Sequence, residues 1–264
     1  MTAFKNFLGI VDLHTLLVTF LAVTATWLCD RFGFEANIPT GLIGIAIIFP
    51  IVFSINAAYR RREEALKSFA SLKAHGVAIF YAHRDWVPEE GEAPHASRAP
   101  HASRAREALL GLLTEIKGYF RGGMEENDAG LPAVYNRFSD LSRSMESMRD
   151  AGLSGGQVSR TNQYMRAMMI DFERMRNILA YRTPVALRAY SKVFLSAFPI
   201  LFGPYFAYLC EEHYPLVGYG VAVLYSLVLV SLDNIQGNLE SPFDAKGKDD
   251  LRLDIGPLYD PVLR

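Results

Sequence analysis

The sequence predicts an all-α membrane protein with four transmembrane helices per subunit and a helical cytoplasmic domain. Three observations carry that expectation. Half of the 264 residues are apolar, and the mean hydropathy is +0.11. Residues 36–58, 193–210 and 214–232 carry no charge at all, and the first 29 residues hold only Lys5 and Asp12. Each stretch is close to the roughly 17–25 residues a helix needs to cross a bilayer. The long segment between the second and third stretches repeats its apolar residues at helical spacing. One apolar run fits the core helix of a soluble protein, but four with few charges do not. A net charge of −1 gives no reason to expect nucleic acid as a partner.

The first predicted span is Leu13–Cys29. It follows a single lysine, and the run TATWLCD offers no small-x-small cleavage site, so it reads as an uncleaved helix rather than a secretory signal. The others are Gly41–Ala58, Val193–Cys210 and Tyr214–Leu232. Arg60, Arg61 and Arg62 follow the second span, and Arg182, Arg188 and Lys192 flank the third. The opposite loops hold Asp30, Arg31 and Glu35, then Glu211, Glu212 and His213. The positive-inside rule puts both termini and the middle segment in the cytoplasm of a multi-pass protein of the inner or plasma membrane. The chain then divides into spans one and two (1–58), a cytoplasmic helical domain (59–188), spans three and four (189–232) and a cytoplasmic tail (233–264). Two cysteines make no disulfide scaffold. Cys29 and Cys210 both fall at predicted outer helix ends, which leaves a bridge between them as one reading and two unpaired small apolar residues as the favoured one.

Nothing after Ala58 stops the second helix, so it is expected to run on to about His83. Leu66, Phe69, Leu72 and Phe80 would line one side, and Glu63 would pair with Lys67. Residues 93–98 and 99–104 are one hexapeptide, APHASR, written twice. After PEEGE this reads as a loop lengthened by local duplication, and His95 and His101 recur for that reason rather than to bind metal. Further helices are expected over about Arg106–Phe120, with Leu109, Leu110, Leu113 and Ile116 inward, over Leu131–Arg149, and over Ser159–Tyr181. The last carries Met165, Met168, Met169, Phe172 and Met175 on one side, a packing stripe rather than a cofactor site.

Two motifs imitate chemistry. Gly152-Leu-Ser154-Gly-Gly156 matches G-x-S-x-G, which needs a strand before the serine. A helical pattern precedes it here, so Gly152 reads as a helix stop and Ser154 as the next cap. Val217-Gly218-Tyr219-Gly220 matches the core of a potassium filter. That filter is an extended loop, whereas this segment continues an apolar helix, so its glycines read as points of close helix contact. No catalytic constellation and no cofactor site follow from the sequence.

The stretch GIAIIFPIVFSINAAYRRR places Ile45, Phe49 and Phe53 at i, i+4 and i+8, one stripe on a helix. That stripe faces lipid, a neighbouring helix or, in a ring of identical chains, a central axis. In the last case it makes a hydrophobic constriction of the kind that gates by dewetting. Pro50 removes one backbone hydrogen bond near Ala46. Pro39-Thr40-Gly41 opens the same helix, and its free amides would suit an anion at the outer mouth.

Phe53, Asn56, Tyr59, Arg61, Glu64 and Ala65 fall in the pattern F-x-x-N-x-x-Y-x-R-x-x-E-A, which resembles the bestrophin family after its second span. The preceding I-x-x-x-F-x-x-x-F row resembles that family's pore neck, which implies that role for Ile45, Phe49 and Phe53. Thr183-Pro184 with Ala189-Tyr190-Ser191 resembles the family's T-P-x-P-x-A-Y-S, although one residue is added and the second proline is missing. Glu240-Ser241-Pro242-Phe243, with Asp249-Asp250-Leu251 downstream, resembles its tail signature. The resemblance implies a homopentamer with one central pore among membrane lipids. It would conduct chloride and other monovalent anions, with monovalent cations or a non-channel scaffold or sensor role as alternatives. The acidic run that clasps calcium in animal members is broken here to Asp244-Ala-Lys-Gly-Lys-Asp-Asp, so no metal site is expected. The resemblance also implies the family's second, cytoplasmic constriction; no local motif marks it here, and spacing back from Pro184 would put it near Gln157 and Val158.

Overall fold

The computed structural model describes residues 11–87, 94–122, 124–181, 185–245, 250–254 and 259–263. Among these, the elements are all helices: α1 (Leu13–Phe32), α2 (Thr40–Asp85), α3 (Pro94–Arg121), α4 (Met124–Asp150), α5 (Gly155–Ala180), α6 (Val185–Leu201), α7 (Gly203–Glu212) and α8 (Pro215–Glu240). Two compact units result, Met1–Arg61 with Arg182–Glu240, and Arg62–Tyr181 with Ser241–Arg264.

In the first unit α1 packs on α6, α7 and α8. It starts at a reciprocal cap. The Thr15 amide donates to Asp12 Oδ1 at 2.8 Å and the Asp12 amide to Thr15 Oγ1 at 3.3 Å. It ends at Gly33, whose φ of 67° is the left-handed conformation of a helix stop. Among the described residues, three stretches are long and apolar enough to cross a membrane: Leu13–Phe32, Arg188–Glu212 and Leu216–Glu240. The predicted second span is helical along its backbone, but the side chains of residues 42, 43, 46 and 47 lie outside the described residues.

The third span is not the single helix expected. α6 stops at Leu201 and α7 begins at Gly203, with Pro204 in its first turn. Proline has no N–H to continue a ladder but fits a helix start. The apolar core here is Ile51, Leu195, Phe202, Phe206, Ala222 and Leu229. Val217–Gly220 lies inside α8, not in an extended loop. A Cβ on Gly218 would stand 2.1 Å from the Phe206 carbonyl oxygen, whereas one on Gly220 would meet nothing within 4 Å. Only the first glycine therefore marks a close helix contact. Cys29 and Cys210 are not joined in a disulfide.

The second unit is built on the later part of α2 with α3, α4, α5 and the tail. Phe69, Leu72, Phe80, Leu109, Leu112, Ile116, Phe138, Leu141, Met168, Phe172 and Met175 form its core. The methionine stripe is therefore packing, as read. Several details differ. Leu66 is 42% exposed. Glu63 pairs with Arg62 at 2.7 Å rather than with Lys67. The APHASR repeat, expected as a loop, is helical from Pro94. Its recurring alanines and arginines are strong helix formers, and Pro94 stands in the first turn, where proline is tolerated, while Pro100 lies inside the helix at the cost of a backbone hydrogen bond. α4 starts at Met124, seven residues before the predicted Leu131, and carries Pro132 inside it.

Ser154 caps α5. Its Oγ accepts from the Gln157 amide at 3.4 Å, and its own amide donates to Gln157 Oε1 at 3.2 Å. A helix, not a strand, precedes it, and Gly152 has φ 92°. The G-x-S-x-G match is a helix stop followed by a helix start. The tail then returns to α3: Phe243 is 1% exposed and stacks on Phe120 at 4.5 Å.

Candidate pore-lining face

The apolar stripe on α2 is uncovered in the single chain. Ile45, Phe49 and Phe53 are 64%, 63% and 55% exposed, and Ile48 and Val52 beside them are also exposed. The buried side of the same stretch is Ile51, Ser54 and Ala58. Helical periodicity thus splits the described side chains between 45 and 58 into an inward face and an outward face of bulky groups. The Phe49 and Phe53 rings meet edge to face at 4.9 Å, a favourable aromatic geometry that holds the outward face as one surface. Pro50 sits within the helix, opposite the carbonyl of Ala46, which has no N–H four residues on to accept from.

Thr40 and Gly41 form the first turn of α2, and Gly41 has open space around it. Asn56, Tyr59 and Glu64 are exposed, and Arg61 is half-buried. Pro184 lies outside the described residues. Tyr190 stacks at a tilt on Phe194, centroids 4.2 Å apart. Glu240 is 7% exposed and lies 3.9 Å from Arg188. Pro242 and Phe243 are buried, and the Pro242 carbonyl accepts from the Leu251 amide at 2.8 Å. Residues 246–249 of the broken acidic run lie outside the described residues. Gln157 is exposed and tied into the Ser154 cap, while Val158 is buried.

Two features of the first unit were not singled out from sequence. At the Asp30–Glu35 end, Tyr219 donates to Asp30 at 3.1 Å. There a hydrogen bond to Glu211, with desolvation and the charges of Glu211 and Asp30, holds the Glu35 carboxyl above the usual carboxylate range. At the opposite end a polar cavity is lined by Asp12, Arg188, Lys192 and the last turns of α8. Its signal was in the sequence: Asp233, Gln236 and Glu240 recur at i, i+3 and i+7, so one helix face turns polar where the apolar run ends.

Neither the family models nor the curated proteins gave a match by sequence. Solved structures do match along nearly the whole chain. A bacterial bestrophin homologue from Klebsiella pneumoniae, solved as a point variant, superposes with TM-score 0.76 at 17% identity, covering 95% of each chain. A second variant of it gives TM-score 0.75 at 18% identity, covering 95% of this chain and 97% of that one. A third structure of the homologue gives TM-score 0.74 at 18% identity, covering 95% of both. The fold therefore defines an all-α integral membrane protein. More narrowly, it is a bestrophin-like fold, the one the motifs around Asn56, Tyr190 and Pro242 resemble.

Proposed function

We propose that the chain is one subunit of a homopentameric channel that conducts chloride and other monovalent anions. Ile45, Phe49 and Phe53 of five copies would form its hydrophobic neck, with both termini in the cytoplasm and lipid around the first unit. The observation that carries this reading is the outward stripe, more than half exposed at all three positions on a chain with a bestrophin-like fold. Bulky apolar side chains in a row require cover by lipid or protein. Facing a symmetry axis, they make a passage whose walls offer water no hydrogen bonds, so water withdraws and an ion crosses partly dehydrated. Widening the passage opens it, and Pro50 supplies a local point of adjustment.

A second reading, passage of monovalent cations, draws on the acidic cluster of Asp30, Glu35 and Glu211 at one end of the first unit. Reversal potential in planar bilayers under a potassium chloride gradient separates the two: the anion reading expects it on the chloride side of zero. Replacing Ile45, Phe49 and Phe53 together with Ala should raise the current several-fold with a smaller change in selectivity. An assembled triple variant that conducts as the parent does would mean the stripe faces lipid.

A further inference from the structure

The polar cavity of the first unit measures about 370 Å³, within the roughly 300–1,000 Å³ of small-ligand clefts. Its wall is built from three elements. Asp12 caps α1, Arg188 and Lys192 lie in the early turns of α6, and Asp233, Gln236 and Glu240 close α8. All three membrane-length stretches, Leu13–Phe32, Arg188–Glu212 and Leu216–Glu240, begin or end at this cavity. It therefore lies at the level where a bilayer presents its headgroups.

The wall carries both signs, two cationic side chains and three carboxylates. Asp12 is committed to Thr15 at 2.8 Å. Arg188 and Glu240 stand 3.9 Å apart, longer than the roughly 2.7–2.9 Å of a direct charge-assisted hydrogen bond. Two acceptors are buried without a donor: Oε1 of Gln236, a residue 2% exposed, and Oε1 of Glu240, 7% exposed. Buried polar atoms almost always find a partner. Glu240 decides the chemistry, because a carboxylate has no amide to flip and asks only for a donor. An anion alone would satisfy the basic side and leave these acceptors unpaired. A cation alone would do the reverse.

We propose that this cavity binds the headgroup of an ethanolamine phospholipid, its ammonium donating to Glu240 and Gln236 beside Asp233 and its phosphate held by Arg188 and Lys192. A choline headgroup has the charge but no N–H to donate, and a glycerol headgroup has no positive charge. The site thus selects by hydrogen bonding as well as by sign.

The test titrates the delipidated full-length protein in detergent with phosphatidylethanolamine, phosphatidylcholine and phosphatidylglycerol of the same acyl chains, read by native mass spectrometry. The expected result is one ethanolamine lipid per chain, bound about tenfold more tightly than either of the others. Gln236→Leu should remove about that factor for the ethanolamine lipid and leave the choline lipid unchanged, whereas Lys192→Gln, which takes away a phosphate contact common to all three headgroups, should weaken all three. Equal binding of the ethanolamine and choline lipids overturns the proposal. So does an absence of specific lipid, which would leave the cavity to be covered by a second copy of the chain. Soluble phosphoethanolamine that binds as tightly as the lipid would assign the site to a free zwitterion and overturn the lipid assignment. If Gln236→Leu fails to fold, the headgroup series on the parent and on Lys192→Gln, whose altered side chain is exposed, still decides.

Discussion

His83 shows how one side chain ties the fold to proton concentration. It is fully buried, and its Nδ1 lies 2.9 Å from the Ile79 carbonyl. A carbonyl only accepts, so Nδ1 carries the proton and Nε2 is bare, and Nε2 finds no partner within hydrogen-bond geometry. Burial holds the imidazole below its ordinary value, more than the Ile79 and Ser144 carbonyls raise it, and His101 adds to the lowering. The sign follows. The neutral form is the one the core accepts, so this contribution is complete above the unfolded value of 6.5 and is lost as pH falls through the folded value. Melting of the purified protein should therefore drop between pH 7.5 and 5. His83→Gln should flatten the drop, since glutamine has no proton to gain in that range. An unchanged pH profile in that variant would move the acid sensitivity to the carboxylates.

Between α7 and α8 the decisive residue is a missing side chain. The Gly218 site leaves a Cβ 2.1 Å from the Phe206 oxygen and 2.3 Å from Cys210 Sγ, whereas the Gly220 site is open. Gly218→Ala should cost about 1–3 kcal/mol by forcing the helices apart. Gly220→Ala should stabilise by about 0.5–1 kcal/mol by restricting the unfolded backbone. Thermal unfolding in detergent with both variants in parallel checks the pair, and similar effects at the two sites would contradict the packing. The same elements show what the sequence exposed and what it hid. Periodicity revealed the methionine stripe and the Ile45–Phe53 row because i, i+4 geometry is local. It did not reveal the break at Phe202, because Pro199 stays inside α6 while Pro204 starts α7, and no local signal separates the two prolines. The stack of Phe243 on Phe120 was out of reach too, since it joins positions far apart in the chain. The polar cavity was half legible, its α8 face readable as a pattern but its partners Asp12, Arg188 and Lys192 brought in only by the fold.

For the whole molecule, the single chain is unfinished. Leu13, Phe20, Phe49, Leu216 and Leu224 are each more than 60% exposed, and so are further apolar residues of the first unit. A surface of that kind belongs to lipid and to neighbouring copies. Closed symmetry is the common way for identical chains to bury such faces. A mass measurement in detergent should give five copies with no stable monomer. A clean monomer or dimer would remove the axial neck and with it the proposed conduction path.

The twice-written APHASR at the start of α3 has a consequence for how this protein came to its present length. A copy placed at the end of a helix extends it by about 1.5 Å per helical residue and leaves every residue after 99 with the same neighbours along the chain. Removing 93–98 would leave the retained copy in the same register against Ala105. An insertion in the middle of α3 would instead rotate every later core residue away from its partner. Each further copy would set its successor's proline inside the helix, as Pro100 now stands, rather than in the first turn, so the length of this tip is limited by its own backbone and not by the core.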